Sequence, residues 1–256
     1  MLRRAVENGI IAVLLDRPAQ RNAMSAELVN ALNGILADFA TDEALRVLVL
    51  AGAGADFCAG SDLAGLARMA DAERSDFEAN SGRLARAMGT VDKPVVAAVH
   101  GFAIGGGLTL AIAADVVVTE ANARWSLPEV PIGLFPAWGL AALVRRVGQA
   151  AARRLAWGLD QLDGSEAHRL GLADLVVEET ALESAMAIAR RLANLPVPQT
   201  RAVKTFFALG AADESSDASA NAAFMAACTG PEAQASFARY AAKASGCPSI
   251  GWEVSQ

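Results

Sequence analysis

The chain has 256 residues, 54% hydrophobic and 20% charged, which is enough apolar material for one large domain or one domain with an appendage. A net charge of −6 and a pI near 5.0 leave no electrostatic footprint for a nucleic-acid partner. Three cysteines (Cys58, Cys228, Cys247) without paired spacing and only two histidines exclude a disulfide framework and a metal cluster, and the expected setting is reducing and cytoplasmic.

In chain order, Ile10–Leu15 is a short apolar run closed by Asp16-Arg17-Pro18, a strand rather than a signal peptide. Ser25 is a suitable N-cap for a helix over Ala26–Phe39, with Leu28, Leu32, Ile35 and Phe39 on one face. Arg46–Leu50 reads as a buried strand, and Ala51–Leu63 as an irregular glycine-rich loop ending at a helix start. Asp71–Met88 is polar with helical spacing, which predicts a surface helix.

Pro94–Val118 carries about enough apolar residues for a membrane span, but His100, Asp115 and its glycines divide it, so it reads as soluble core. It predicts a strand at Val95–Val99, a turn at Gly101, and a short helix over Leu108–Ala113 behind Gly105–Gly107. Three glycines in a row supply no side-chain packing. Two readings fit them. They allow a helix to lie close on a strand, or they present unpaired N–H groups at a helix start that receive an anionic oxygen.

Arg124–Ser126 is a short strand, followed by helical stretches at Leu140–Val147, Ala150–Trp157, Ser165–Leu170 and Ala181–Ala193 and a strand at Asp174–Val177. Strands alternating with helices give an α/β class. Past Pro196 and Pro198 the pattern is purely helical to about Ala244, so residues 1–194 are expected as an α/β core and 195–256 as a helical region packed on that core or on a neighbouring subunit.

Five stretches in order now carry a resemblance: Arg17–Leu28, Asp56–Leu63, Lys93–Asp115, Ser126–Pro136 and Gly164–Val177. Over nearly its whole length the chain resembles the crotonase, or enoyl-CoA hydratase/isomerase, superfamily. The resemblance implies a spiral of ββα units with a helical C-terminal region that builds trimers, often paired into hexamers. It also implies a CoA thioester substrate whose carbonyl oxygen lies between two backbone N–H groups, here those of Ser61 and Gly106. Coenzyme A would then be part of the substrate, with no separate cofactor, no metal and no membrane partner.

Family hydratases place one glutamate three residues after the middle glycine and a second in a later Pro-Glu motif. Here those positions hold Thr109 and Glu129. Syn addition of water uses two carboxylates, whereas moving a proton between carbons needs one. The resemblance therefore implies enoyl-CoA isomerisation by Glu129, with Thr109 leaving room for the acyl chain. Water addition by Thr109 and Glu129 together is the alternative, and a silent acyl-CoA-binding protein is a further one. Trp138 either walls the acyl pocket or makes an ordinary core or subunit contact. Arg21, Ala23 and Ala59 match the family segments that meet coenzyme A, with Arg239, Lys243 and Phe237 as further candidates at the nucleotide end. Asp62 is expected to cap a helix, His100 to be structural and His168 to be an exposed helix residue.

Overall fold

The computed structural model describes residues 1–208 and 214–243. It opens with a hairpin in which β1 (Leu2–Glu7) and β2 (Ile10–Leu15) pair antiparallel from Leu2↔Leu15 to Glu7↔Ile10. Asn8 and Gly9 between them have φ of 50° and 78°, the positive values that a two-residue type I′ turn requires. β1 is missing from the elements expected from sequence, although Asn8-Gly9 is itself a hairpin signal.

Ser25 then caps α1 (Ala26–Thr41), its hydroxyl accepting the Leu28 N–H at 3.3 Å. β3 (Val47–Gly52), α2 (Leu63–Leu66), α3 (Asp71–Thr90), β4 (Val95–Val99), β5 (Phe102–Ile104) and α4 (Gly106–Ile112) follow. Next come β6 (Val116–Glu120), β7 (Arg124–Ser126), α5 (Leu140–Ala156), β8 (Gln161–Asp163), α6 (Gly164–Leu170), β9 (Leu175–Val177) and α7 (Ala181–Ala193). Among the described residues these strands form a six-stranded sheet in the order β1-β2-β3-β4-β6-β9 and a three-stranded sheet in the order β5-β7-β8. From β2 onward the larger sheet is parallel. Every residue of β3 is buried, which is why Val47–Gly52 reads as a continuous apolar run rather than an alternating one.

α7 covers one face of the large sheet. Its Ala181, Ala185, Ala189 and Ala193 recur every fourth residue, and their small side chains let the helix lie close on Val47, Val49, Val96 and Val118. The other face bears the main core, which includes Leu28, Phe39, Phe57, Leu108 and Trp125. α5 joins the two helical stretches expected at Leu140–Val147 and Ala150–Trp157 across a kink at Gly148, where φ is 74°.

α3 departs from the surface helix expected. Its inner stripe of Arg74, Glu78, Ser81, Ala85 and Met88 is buried, and Arg74 and Ser81 have local partners. The Ser81 hydroxyl donates to the Phe77 carbonyl, and Arg74 donates to the carbonyls of Leu66 and Met69. Such satisfied polar groups hide a core-facing helix from a hydrophobicity reading.

Beyond the core, α8 (Val197–Ala208), α9 (Glu214–Cys228) and α10 (Pro231–Lys243) confirm a helical C-terminal stretch, while Ala244–Gln256, including Cys247, lies outside the described residues. In the described part, Phe224, Ala233 and Phe237 join the main core of the same chain. Lys204 of α8 is 6% exposed, and its ammonium donates to the Met88 carbonyl at 2.8 Å and to both Asp115 oxygens at 2.7 Å. Burial pulls the Lys204 amine down and pushes the Asp115 carboxyl up, opposing the charges that the pairing favours. No helix among the described residues is long and apolar enough to cross a membrane.

This anchor gives a measurable expectation. Lys204→Met strands the Met88 carbonyl and Asp115 and lowers unfolding stability by about 2 kcal/mol, less than for a fully buried pair because Asp115 stays 31% open to water. Urea denaturation of the variant against the wild type reads the difference directly.

Candidate active site

Two backbone segments meet under the mouth of the pocket. Cys58 N–H donates to the Phe102 carbonyl at 2.8 Å, and Ile104 N–H donates back to Cys58 at 3.0 Å, bridging the loop after β3 to β5. A second bridge ties Met24 to Ser61: Met24 N–H reaches the Gly60 carbonyl at 2.8 Å, and Asp62 N–H reaches the Met24 carbonyl at 2.9 Å. The Ser61 N–H takes no part in that ladder. Gly106 opens α4, so its N–H has no acceptor within the helix. Neither donor has a protein acceptor among the described residues. The two lie close together: a Cβ placed on Gly60 would be 3.4 Å from Gly106 N, and one on Gly106 would be 3.5 Å from Ser61 Oγ.

The glycines of the run have different surroundings. A side chain on Gly107 would collide with the Cys58 carbonyl, so this glycine serves close packing. Gly105 has φ 55° and ψ −123°, a backbone that L side chains rarely adopt, and a Cβ there would stand 2.6 Å from Glu129 Oε1. Bare backbone at Gly105 is what gives the Glu129 carboxylate its room.

Glu129 sits where the chain turns between Pro128 and Pro131, its carbonyl receiving the Ile132 and Leu134 N–H groups at 3.2 and 2.8 Å. Its Oε2 is out of solvent and has no hydrogen-bond partner among the described residues. Burial pushes its carboxyl up to about 7. Thr109 is 2% exposed on the same wall, but its hydroxyl donates back to the Gly106 carbonyl at 3.1 Å. Trp138 lines this pocket and is also a buried member of the main core, so both readings made for it stay open. Its ring approaches to 3.3 Å from the Gly106 Cβ position.

The site also contains a residue that sequence reading missed. Trp138 donates its indole N–H to Glu78 Oε2 at 2.9 Å. Glu78 is 4% exposed, lines the same pocket as Glu129 and Thr109, and has no ion-pair partner among the described residues. Burial chiefly pushes its carboxyl up to about 8, the Trp138 N–H opposes this, and the Glu129 charge adds to it. The signal was present in the spacing, since Glu78 occupies a position of the stripe otherwise filled by Ser81, Ala85 and Met88. The pocket is narrow, about 60 Å³, whereas a wider cavity of about 760 Å³ lies elsewhere, beside Lys204 and Asp115.

The coenzyme candidates form one rim. Ala59 lines the pocket, and its N–H donates to the Arg21 carbonyl at 3.0 Å. Ala23 donates its N–H to Gln20 and accepts from the Arg17 guanidinium. The Arg21 guanidinium lies 4.8 Å above the Phe102 ring and 3.9 Å from Asp56. Phe237, expected over the nucleotide, is instead 5% exposed and packed beneath Arg74. Arg239 lies over Tyr240, and the Lys243 side chain is outside the described residues.

The remaining candidates are structural. Asp62 caps α2, accepting the Gly65 N–H at 3.0 Å, and pairs with Arg17. His100 and His168 each contact a backbone carbonyl, of Gly54 and Ala173. Burial pushes the Cys58 and Cys228 thiols up to about 12 and about 11, away from nucleophilic use. No metal-binding cluster occurs among the described residues.

The six-stranded and three-stranded sheets with their covering helices form a crotonase-like α/β fold. The chain belongs to the enoyl-CoA hydratase/isomerase family, whose model matches residues 5–245. A short-chain-enoyl-CoA hydratase of Clostridium acetobutylicum is 32% identical over 195 residues, 75% of each chain. A carnitinyl-CoA dehydratase of Proteus mirabilis is 33% identical over 209 residues, 80% of this chain and 79% of that one. The crystal structure of an enoyl-CoA hydratase/isomerase from Mycobacterium paratuberculosis matches with a TM-score of 0.87 at 26% identity, covering 93% of this chain and 97% of the other.

Two outcomes follow from this geometry. Gly105→Ala forces the Glu129 carboxylate aside and lowers turnover by about 10²-fold, as a displacement near 1 Å does, with acyl-CoA affinity measured by calorimetry largely kept. Glu78 binds its proton more tightly folded, at about 8, than at its ordinary 4.5, so its contribution to stability is lost as pH rises through that window. Glu78→Gln therefore gains thermal stability over the wild type between pH 5 and pH 8, which melting curves at the two pH values would show.

Proposed function

We propose that this protein shifts the double bond of an enoyl-CoA thioester, with the thioester oxygen received by the Ser61 and Gly106 N–H groups and Glu129 moving the proton. The observation that carries this reading is the Glu129 carboxylate, its Oε2 buried without a partner among the described residues, lining the same pocket as Ser61 and Gly106. Removing a proton next to the thioester carbonyl places charge on its oxygen, and each preorganised donor contributes about 3–4 kcal/mol to stabilising it. A base held near pH 7 matches both halves of a proton shuttle, since it takes and returns protons with little bias. The Thr109 hydroxyl, engaged by Gly106, supplies no second carboxylate at the position where the family's hydratases have one.

Coenzyme A enters this reading as part of the substrate, its adenine and phosphates held along the Arg21–Ala23 loop and Ala59. A homotrimer or a dimer of trimers fits the apolar face of α8, where Phe206 and Phe207 are 69% and 74% exposed. A cytoplasmic setting fits the free thiols of Cys58 and Cys228.

Hydration of 2-enoyl-CoA is the second reading, favoured by relatives named hydratase and dehydratase and by Glu78 as another carboxylate in the pocket. Incubation with 3-enoyl-CoA and, separately, 2-enoyl-CoA in D2O, followed by mass spectrometry, separates the two. Interconversion with deuterium uptake and no added water supports isomerisation, whereas a 3-hydroxyacyl-CoA product supports hydration. A protein that binds acyl-CoA and transforms neither is a binding protein. Glu129→Gln is expected to lower turnover by at least about 10²-fold with binding retained. Because the base works ionised, kcat/KM falls about tenfold per pH unit below about 7, measured as a pH–rate profile.

A further inference from the structure

Glu78 is a buried acid for which the fold supplies no counter-charge. Arg74, one helical turn earlier on α3, is directed to the Leu66 and Met69 carbonyls, to Asp71 and to the face of Phe237. Glu78 Oε2 receives the Trp138 indole N–H, and its Oε1 receives no hydrogen bond among the described residues. The indole reaches from Glu78 to the surface of Gly106, so this acid borders the place where a thioester on Ser61 and Gly106 would extend its acyl chain. Burying such a group without a counter-charge costs stability, and a packed apolar residue would hold α3 as well.

We propose that Glu78 is a second catalytic acid of the pocket, delivering a proton to the acyl chain while Glu129 acts as base, and so supplies from α3 the group that Thr109 does not. This rests on the enolate chemistry proposed above and gives to Glu78 the proton return assigned there to Glu129. In a 3-enoyl thioester the C2–H bond breaks and Glu129 takes the proton, the electron pair passing onto the thioester oxygen. As that oxygen returns its pair, C2=C3 forms and the former C3=C4 pair captures the Glu78 proton as a new C4–H bond. Glu129 is left protonated and Glu78 ionised, and one proton passing from the first to the second resets the site. The environments agree with these roles, because burial raises both carboxyls and the Glu129 charge adds to the rise of Glu78.

The test uses the full-length wild type, Glu78→Gln and Glu129→Gln. The glutamine amide oxygen still accepts the Trp138 N–H, so the wall is kept, and unchanged calorimetric binding of an acyl-CoA verifies this. With 3-enoyl-CoA in D2O, two rates are followed: migration of the double bond, and entry of deuterium at C2 of recovered substrate. Glu78→Gln is expected to lose migration by about 10²-fold while C2 exchange stays within a few-fold of wild type, and Glu129→Gln to lose both. Migration at the wild-type rate in Glu78→Gln, or equal loss of exchange and migration, overturns the proposal. If the wild type hydrates 2-enoyl-CoA and moves no double bond, the isomerase reading alone fails. Glu78 then stands if Glu78→Gln loses hydration by about 10²-fold, and falls if hydration is untouched. A wild type inert in both assays overturns both readings.

Discussion

The site depends on backbone pressed against backbone. The Cys58–Ala103 bridge and the Met24–Ser61 bridge fasten three separate segments together with ordinary strand-type hydrogen bonds. Each bridge uses alternate N–H groups, which turns the Ser61 N–H away from the ladder and leaves it free. Such contact excludes side chains, so glycine is required at Gly107, where a Cβ would strike the Cys58 carbonyl. The Ser61 and Gly106 N–H groups are thus held in place by the same bonds that hold the fold.

Around that rigid floor the protein places groups that oppose its own stability. Glu129 and Glu78 are both withdrawn from water without a cation, and both hold their protons far above the ordinary carboxylate range. Desolvation is the leading cause in each case, and the Glu129 charge adds to the shift of Glu78. The surrounding core bears the cost: alanines of α7 pack tightly on one sheet face, and α8 is locked to the centre by Lys204 and Asp115.

Much of this architecture was legible in sequence. The parallel strands announce themselves as apolar runs, Ser25 marks the start of α1, and Ala181–Ala193 coincides with α7 to the residue. Glu129 stands out because a glutamate between two prolines ahead of an apolar run has no obvious structural employment, and the structure finds its Oε2 without a partner. Short elements escaped. β5 and β8 are three residues each, with pairing partners far along the chain, so no local pattern specifies them. α3 misled for a different reason, because its buried Arg74 and Ser81 find local hydrogen-bond acceptors and its composition resembles a solvated helix.

By itself the sequence determined the α/β class, the glycine-lined floor and the identity of one buried acid. These follow from local rules: apolar periodicity, backbone freedom and the chemistry of single residues. Tertiary structure decided which N–H groups stay free, that Thr109 turns its hydroxyl into its own helix, and that Trp138 joins Gly106 to Glu78. Those facts depend on segments distant in the chain, Glu78 on α3 and Glu129 beyond β7, meeting across one pocket. Whether a carboxylate is solvated or stripped of water is a property of everything packed around it, which no local pattern encodes.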